Sequence, residues 1–375
     1  MKLLFVHNTL PEFRVAFFES ISKRIDIRFI ITHPDLARSV YGDDGTEHNE
    51  LDICFVSGRL PQRLKTIKKE IELSKGTHLI LPPADSPVEI AEGLFTLWVA
   101  KRNGLKLYTW TEKWEAPRNE QPVVKRLKNN IHRMVYRYYT KSCDKCIVFG
   151  TKAKEYLQQI GVDEKKIVVS YMSSLPAVNA SKDINVRRQH SIERNTKIVF
   201  CLARMIPRKG IDVLIHAVAQ LQKKYNDFVL LLGGDGPLKK ELQTIVKDYN
   251  LNNVIFAGHI PPELRKEYYG QSDLFVLPSK YYKGMIDGWG LPINESLYYG
   301  TPVVATTCEG AAYDLIDGKN GAMVEQNNVK ALALSIEEFL YHKNRTEVEA
   351  AIEKTVKRYN IESMVSEFLS AFSAA

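Results

Sequence analysis

Residues 277–306 read LPSKYYKGMIDGWGLPINESLYYGTPVVAT, and the run divides into strand, loop, helix and strand. The apolar segment LFVLPS (274–279) stops at Pro278 and Ser279. Gly284, Gly288 and Gly290 mark a loop. A helix starts at Leu291 or Pro292, where the N–H that proline lacks would be unpaired anyway. Gly300 is its C-terminal cap, and PVVAT is the next buried strand. Such a unit aims loop N–H groups and the positive end of a helix above the sheet edge, which makes an anion site with phosphate as the usual occupant. Asp287 in the loop and Glu295 one turn into the helix have seven residues between them. One acid can meet the near side of a bound ligand and the other its far side. The competing reading is an ordinary βα turn with solvated acids.

Outward from this stretch the pattern repeats. KIVFCLA, FVLLLGG, VIFAGHI, LFVLPS, PVVAT and AMVEQ are short apolar runs separated by helical patterns, and three helical patterns close the chain. Residues 1–175 alternate in the same way: KLLFV, IRFIIT, DICFVS, THLILP, LKLYTW, CIVFG and KIVVSYM lie between amphipathic segments. Strands alternating with helices imply a parallel sheet covered on both faces. SSLPAVNASKDIN (173–185) is small, polar and proline-bearing, and reads as the domain linker. The chain is therefore α/β, with two doubly wound domains at 1–175 and 176–359. Ligands in such sheets lie outside the carboxyl ends of the strands. Two facing sets of strand ends would make a cleft.

Length and composition agree. A chain of 375 residues exceeds one ordinary core. It is 45% hydrophobic and 26% charged, as soluble globular proteins are. The net charge of +8 suits a phosphorylated ligand, an anionic membrane surface or nucleic acid, and chooses among none of them. MKLLFV meets His7 and Asn8 at once and reads as a first strand rather than a secretion signal, so a cytoplasmic location is expected. Five cysteines fit a reducing compartment. Cys143 and Cys146 have metal spacing but lack a second pair, which favours two small residues leading into a strand.

Other loops of the second domain carry chemistry. After KIVFCLA come Arg204, Arg208, Lys209 and Gly210, a diphosphate clamp at a strand end. After FVLLLGG come Gly234, Asp235 and Gly236, where a ligand can approach the backbone closely. VIFAGHI ends at Gly258, His259 and Ile260. All of these loops belong to the same edge of one predicted sheet, which points to a nucleoside-diphosphate site.

Residues 197–324 resemble the C-terminal domain of the retaining nucleotide-sugar glycosyltransferases of family four, which have the two-domain GT-B fold. The matching runs are LARMIPRKGIDVLIHA, LLGGDGPLKKEL, VIFAGHI, DLFVLPS, DGWGLPINESLYYGTPVVAT and LIDGKNGAMV. The resemblance implies two Rossmann-like domains facing across a cleft, and a C-terminal helix at about 360–375 packing back onto the first. It implies that Arg204 and Lys209 hold the donor diphosphate, and that Glu295 accepts from the ribose hydroxyls. Trp289, Gly290 and Leu291 would offer N–H groups, His259 and Ile260 would lie near the base, and Gly234 would line the donor site. The family pattern has two glutamates, and Asp287 stands at the first. Its carboxylate reaches about 1.3–1.5 Å less, a shift large enough to matter in a positioned site. That position contacts donor-sugar hydroxyls in the family.

The first domain resembles the family less. Arg14 in the opening loop matches a family variant with arginine there. No histidine follows LKLYTW, and Glu112 is the polar candidate near the reacting centre. Arg204, Lys209, Asp287 and Glu112 are the expected catalytic set. The expected donor is a UDP-, GDP- or dTDP-linked sugar, and the expected acceptor is a glycan or a lipid-diphosphate-linked sugar. No Asp-x-Asp is present, so no cofactor or divalent metal is demanded. Between 122 and 145, Lys125, Arg126, Lys128, Arg133, Arg137, Lys141 and Lys145 interleave with Met134, Tyr136, Tyr138 and Tyr139. A basic helix with aromatics suits the inner face of an anionic membrane. Its competing reading is a solvated helix whose apolar stripe packs on the sheet. No nucleic-acid module accompanies the charge. A nucleotide-sugar epimerase of the same fold and a non-catalytic sugar-nucleotide-binding subunit are the alternatives.

Overall fold

The computed structural model describes residues 2–35, 50–74, 76–173 and 184–373. Most of the expected linker, residues 174–183, lies outside them. The chain divides into two units: Met1–Trp114 with Arg126–Ser174 and Ile361–Ala375, and Glu115–Lys125 with Leu175–Asn360.

The first unit carries β1 (Lys2–His7), β2 (Asp26–Ile31), β3 (Ile53–Phe55), β4 (His78–Ile80), β5 (Lys106–Thr111), β6 (Lys145–Val148) and β7 (Ile167–Val169). They form a parallel sheet in the order β3-β2-β1-β4-β5-β6-β7. The second carries β8 (Lys197–Leu202), β9 (Phe228–Gly233), β10 (Val254–Gly258), β11 (Leu274–Leu277), β12 (Val303–Thr306) and β13 (Gly321–Val324). These are also parallel, in the order β10-β9-β8-β11-β12-β13. Both sheets are Rossmann-like. Each reverses direction beside its first strand, between β1 and β4 and between β8 and β11. Such a switch point opens a crevice at the carboxyl ends.

Local chemistry fixes these elements. In the helix Pro87–Arg102, Ser86 Oγ accepts from Glu89 N at 3.2 Å and Glu89 Oε2 accepts from Ser86 N at 2.9 Å. This reciprocal cap satisfies two otherwise orphaned donors. The helix Leu291–Tyr298 begins at Gly290, whose φ is 98°, and Gly300 follows it in the left-handed region at φ 82°. The central strands are buried on both faces, as parallel sheets require: Leu3, Leu4, Phe5, Val6, Val199 and Phe200 have no exposed surface.

Two segments lie with the unit on the other side of residue 175. Glu115–Lys125 groups with the second unit. There a Cβ added at Gly284 would meet Lys125 Cγ at 3.0 Å and Gln121 Cγ at 3.5 Å, so this segment packs on the 281–285 loop. The helix Ile361–Ser370 groups with the first unit. Ser170 Oγ donates to Met364 O (3.1 Å), Tyr171 N donates to Glu367 Oε2 (3.0 Å), and the Phe368 ring lies 5.2 Å from Phe17 and 6.2 Å from Phe5.

Candidate active site

The loops leaving β8 to β12 are joined by backbone hydrogen bonds. Met205 N donates to Asp235 O (2.8 Å), Gly234 N to Gly258 O (2.6 Å), Lys280 N to Arg208 O (2.8 Å) and Ala311 N to Trp289 O (2.7 Å). Glycines permit the close approaches. A Cβ at Gly210 would stand 2.0 Å from Pro278 O, and one at Gly234 would stand 2.2 Å from Ala203 O. Both residues have positive φ, at 62° and 110°.

On this scaffold Lys209 ends a single turn, Pro207–Lys209, and its Nζ donates to Asp287 Oδ2 at 2.5 Å. Arg208 pairs with Asp287 as well, and Ser279 Oγ donates to Asp287 Oδ2 at 3.1 Å. The structure thus brings Lys209 and Asp287 together and adds Arg208 and Ser279. Arg204 is exposed, and its side chain has no partner among the described residues. Glu295 belongs to a different set of contacts. Its Oε1 accepts from Arg265 Nη1 at 3.1 Å and its Oε2 from the Tyr269 hydroxyl at 2.9 Å. The Tyr269 hydroxyl is held far above its usual range, by burial first and then by Glu295.

Trp289 is buried, and its indole N–H donates to Asn294 Oδ1 at 2.8 Å, which ties the loop to its helix. The N–H groups of Trp289, Gly290 and Leu291 find no acceptor among the described residues, as expected where a helix starts. His259 is exposed, whereas Ile260 is buried. Ile260 Cδ1 fills the space where a Cβ at Gly233 would stand (2.4 Å), so its side chain serves the core.

Glu309 joins this set and does not stand out in the sequence. It follows β12 by three residues and is fully buried. Neither oxygen receives a hydrogen bond of good geometry, and Lys209 Nζ lies 3.9 Å from Oε1. Burial raises its pKa, against Lys209, Ser279 and Arg208. Burial lowers that of Lys209, against Glu309. Its place at a strand end was the signal available in the sequence. Arg265 and Tyr269 offered none, since only folding brings them to Glu295.

In the first unit Arg14 and Glu112 interact at the carboxyl ends of β1 and β5. Burial raises the Glu112 pKa, Arg14 opposes that, and Asp85 adds to it. Arg14 Nη1 lies 2.9 Å from His7 Nε2, and the guanidinium stands 5.0 Å from the Trp110 ring centre. His7 is buried, and its pKa is lowered well below 6.5, by burial first and by Arg14 second. Cys143 and Cys146 are buried, and their thiols donate to the Tyr139 and Thr140 carbonyls. Among the described residues no cluster of His, Cys, Asp and Glu could hold a metal ion.

The basic segment forms the helix Val123–Lys141. Tyr136 and Tyr139 are buried on its inner face, donating to Thr111 Oγ1 (3.0 Å) and Pro82 O (2.6 Å). Val123, Val124, Leu127, Ile131, Met134 and Tyr138 are exposed. At 100° per residue these six fall within one arc of about 100°, opposite the buried tyrosines. The apolar stripe therefore does not pack on the sheet. No helix among the described residues is long and apolar enough to cross a membrane.

Residues 182–358 match the family described as "Glycosyl transferases group 1". The GDP-mannose-dependent alpha-(1-6)-phosphatidylinositol monomannoside mannosyltransferase of Mycolicibacterium smegmatis is 33% identical over 146 residues, 38% of this chain and 38% of that protein. The lipopolysaccharide core biosynthesis glycosyltransferase LpsE of Rhizobium meliloti is 28% identical over 240 residues, 63% of this chain and 66% of that protein. The matches thus span between about two fifths and two thirds of these relatives. The Anabaena protein HepE, solved in complex with UDP and glucose, superposes with a TM-score of 0.73 over the whole of both chains at 16% identity. Residues 182–358 of the second unit thus resemble the glycosyl transferases group 1 family, and the chain has the two-domain GT-B fold.

Proposed function

We propose that this protein is a retaining glycosyltransferase of family four. It moves a sugar from a UDP-, GDP- or dTDP-linked donor to a glycan or lipid-linked acceptor in surface polysaccharide assembly, at the cytoplasmic face of a membrane. The observation that carries this reading is the single sheet edge holding Arg204, Lys209, Asp287, Glu295 and the unpaired N–H groups at the start of the helix Leu291–Tyr298. As the glycosidic bond breaks, positive charge develops on the anomeric carbon and negative charge on the departing diphosphate. Cations and backbone N–H groups fixed beforehand stabilise that charge better than water does. Here those cations are side chains, so the reading requires no divalent metal.

Glu295, held by Arg265 and Tyr269, reads the ribose hydroxyls. Asp287 reads the donor sugar. With no protein nucleophile in this set, retention follows from front-face transfer, in which the leaving phosphate takes the acceptor's proton. Arg14 and Glu112 lie on the acceptor side. Among the relatives, a mannosyltransferase named for a phosphatidylinositol monomannoside supports a lipid-linked acceptor.

The test is release of nucleoside diphosphate from a panel of sugar nucleotides, with the anomeric configuration of the product read by NMR. An inverted product overturns the mechanism, and the absence of any release overturns the reading. Glu295→Ala weakens nucleoside-diphosphate binding roughly tenfold or more, the size of a lost charged hydrogen bond. Asp287→Ala mainly lowers kcat or relaxes the choice of sugar. Equal losses of nucleotide affinity in both variants would contradict this division.

A further inference from the structure

Glu309 has no part in the roles above, yet the fold is shaped to hold it. A Cβ added at Gly290 would stand 2.3 Å from Glu309 Oε2, so only glycine at the start of the donor-loop helix leaves room for this carboxylate. The carboxylate is shut off from solvent and lacks hydrogen-bond donors of good geometry. A buried carboxylate stays ionised only beside an opposing charge. The ammonium of Lys209, 3.9 Å away, is the first such charge, and the Arg208 guanidinium is the second. The same ammonium donates to Asp287 at 2.5 Å. One cation is thus shared by two acids of unequal access, Asp287 with 14% of its side chain exposed and Glu309 with none.

We propose that Glu309 is a positioning residue for Lys209, a fixed internal counter-charge that keeps the ammonium charged and in place at the diphosphate end of the donor when Asp287 turns to the sugar. This rests on the donor-site reading above. Asp287 exchanges Lys209 for a sugar hydroxyl, and Glu309 cannot leave because Gly290 walls it in. Among the described residues, four charged or titratable groups face Lys209. They are Asp287 from the loop after β11, Glu309 from the loop after β12, Arg208 from its own turn, and Cys201 from β8. Burial pushes the Cys201 thiol up to about 12, so it stays neutral. Burial of Lys209 favours the neutral amine, and so does Arg208, while Glu309 opposes both. Removing the charge of Glu309 therefore lets Lys209 lose its proton at lower pH.

The experiment is kcat/KM against pH for the full chain, alongside UDP and GDP affinity by calorimetry over the same range. Glu309→Gln keeps the shape of the side chain without its charge. It lowers kcat/KM by roughly 10–100-fold, moves the alkaline limb to lower pH, and weakens UDP and GDP binding on that side. Glu309→Asp restores the limb. A Glu309→Gln variant with the wild-type limb, or with the same loss at every pH, overturns the proposal. Should Glu309→Gln fail to fold, Lys209→Arg decides. Its guanidinium needs no counter-charge to stay protonated, so the alkaline limb disappears, and a persisting limb overturns the proposal. Wild-type protein that binds neither UDP nor GDP would overturn the donor-site reading and this inference with it.

Discussion

His7 shows how one buried ring ties acidity to folding. Its Nε2 accepts from Arg14 Nη1 at 2.9 Å, which leaves the proton on Nδ1, 3.0 Å from Thr9 O. The folded protein resists a second proton because burial and the Arg14 charge both oppose it. The unfolded chain takes that proton near pH 6.5. The unfolded state then binds more protons, so the contribution of His7 is whole above about pH 6.5 and is lost as the pH falls toward the folded value. Denaturant titrations of the first unit at neutral pH and near pH 5 should show this fall. His7→Gln keeps an acceptor for Arg14 and should flatten the dependence. An equal slope in the variant would show that another group is responsible. Arg14 and Glu112 stand out in the sequence and His7 does not, because a histidine ending a strand gives no hint of which cation folding will set beside it. Asp287 was legible from its spacing to Glu295. Its pairing with Lys209, across 78 residues, and with the adjacent Arg208 was not.

Among the elements, the helix Val123–Lys141 shows what periodicity can and cannot reveal. The sequence gives basic residues interleaved with aromatics but does not say which aromatics face inward. The structure assigns Tyr136 and Tyr139 to the core and leaves Leu127, Ile131 and Met134 at 66%, 62% and 74% exposure. The neighbouring helix Pro87–Arg102 extends the exposed face. Its Trp98 is 48% exposed, and Lys101 Nζ stands 5.9 Å from the Tyr138 ring centre. A stripe of this kind flanked by Arg126, Lys128, Arg133 and Arg137 suits an anionic bilayer, where apolar side chains enter the interface and cations meet head groups. Each large apolar side chain moved out of water contributes about 1.5–3 kcal/mol. Leu127→Ser with Ile131→Ser should therefore cut co-sedimentation with phosphatidylglycerol-rich vesicles tenfold or more. The melting temperature should barely move, because neither side chain is buried. Added salt should weaken wild-type binding through screening of the same cations. Undiminished binding by the double variant would remove the stripe from the account.

At the scale of the whole molecule, every expected strand forms, and both sheets have the doubly wound order. Apolar β-branched runs alternating with helical patterns leave few other arrangements. What alternation leaves undetermined is which unit each segment joins, since packing partners distant in sequence decide it. The chain closes by returning to its first unit with the helix Ile361–Ser370, where Met364, Val365 and Phe368 are buried. Phe368 is fully buried and packs against the rings of Phe5, Phe17 and Phe372. Phe368→Ala should remove about 3–5 kcal/mol from the first unit, the usual loss for an aromatic taken from a closed core. The second unit has its own core around β8, β9 and β11 and should keep its stability. A two-unit chain need not melt in one step, and a nucleotide that binds only the folded second unit raises the melting of that unit alone. Calorimetry of the Phe368→Ala protein with and without UDP should show an early transition insensitive to the nucleotide and a later one that UDP shifts as in the wild type. A single transition falling as a whole would mean that the two units unfold together and that the returning helix stabilises both.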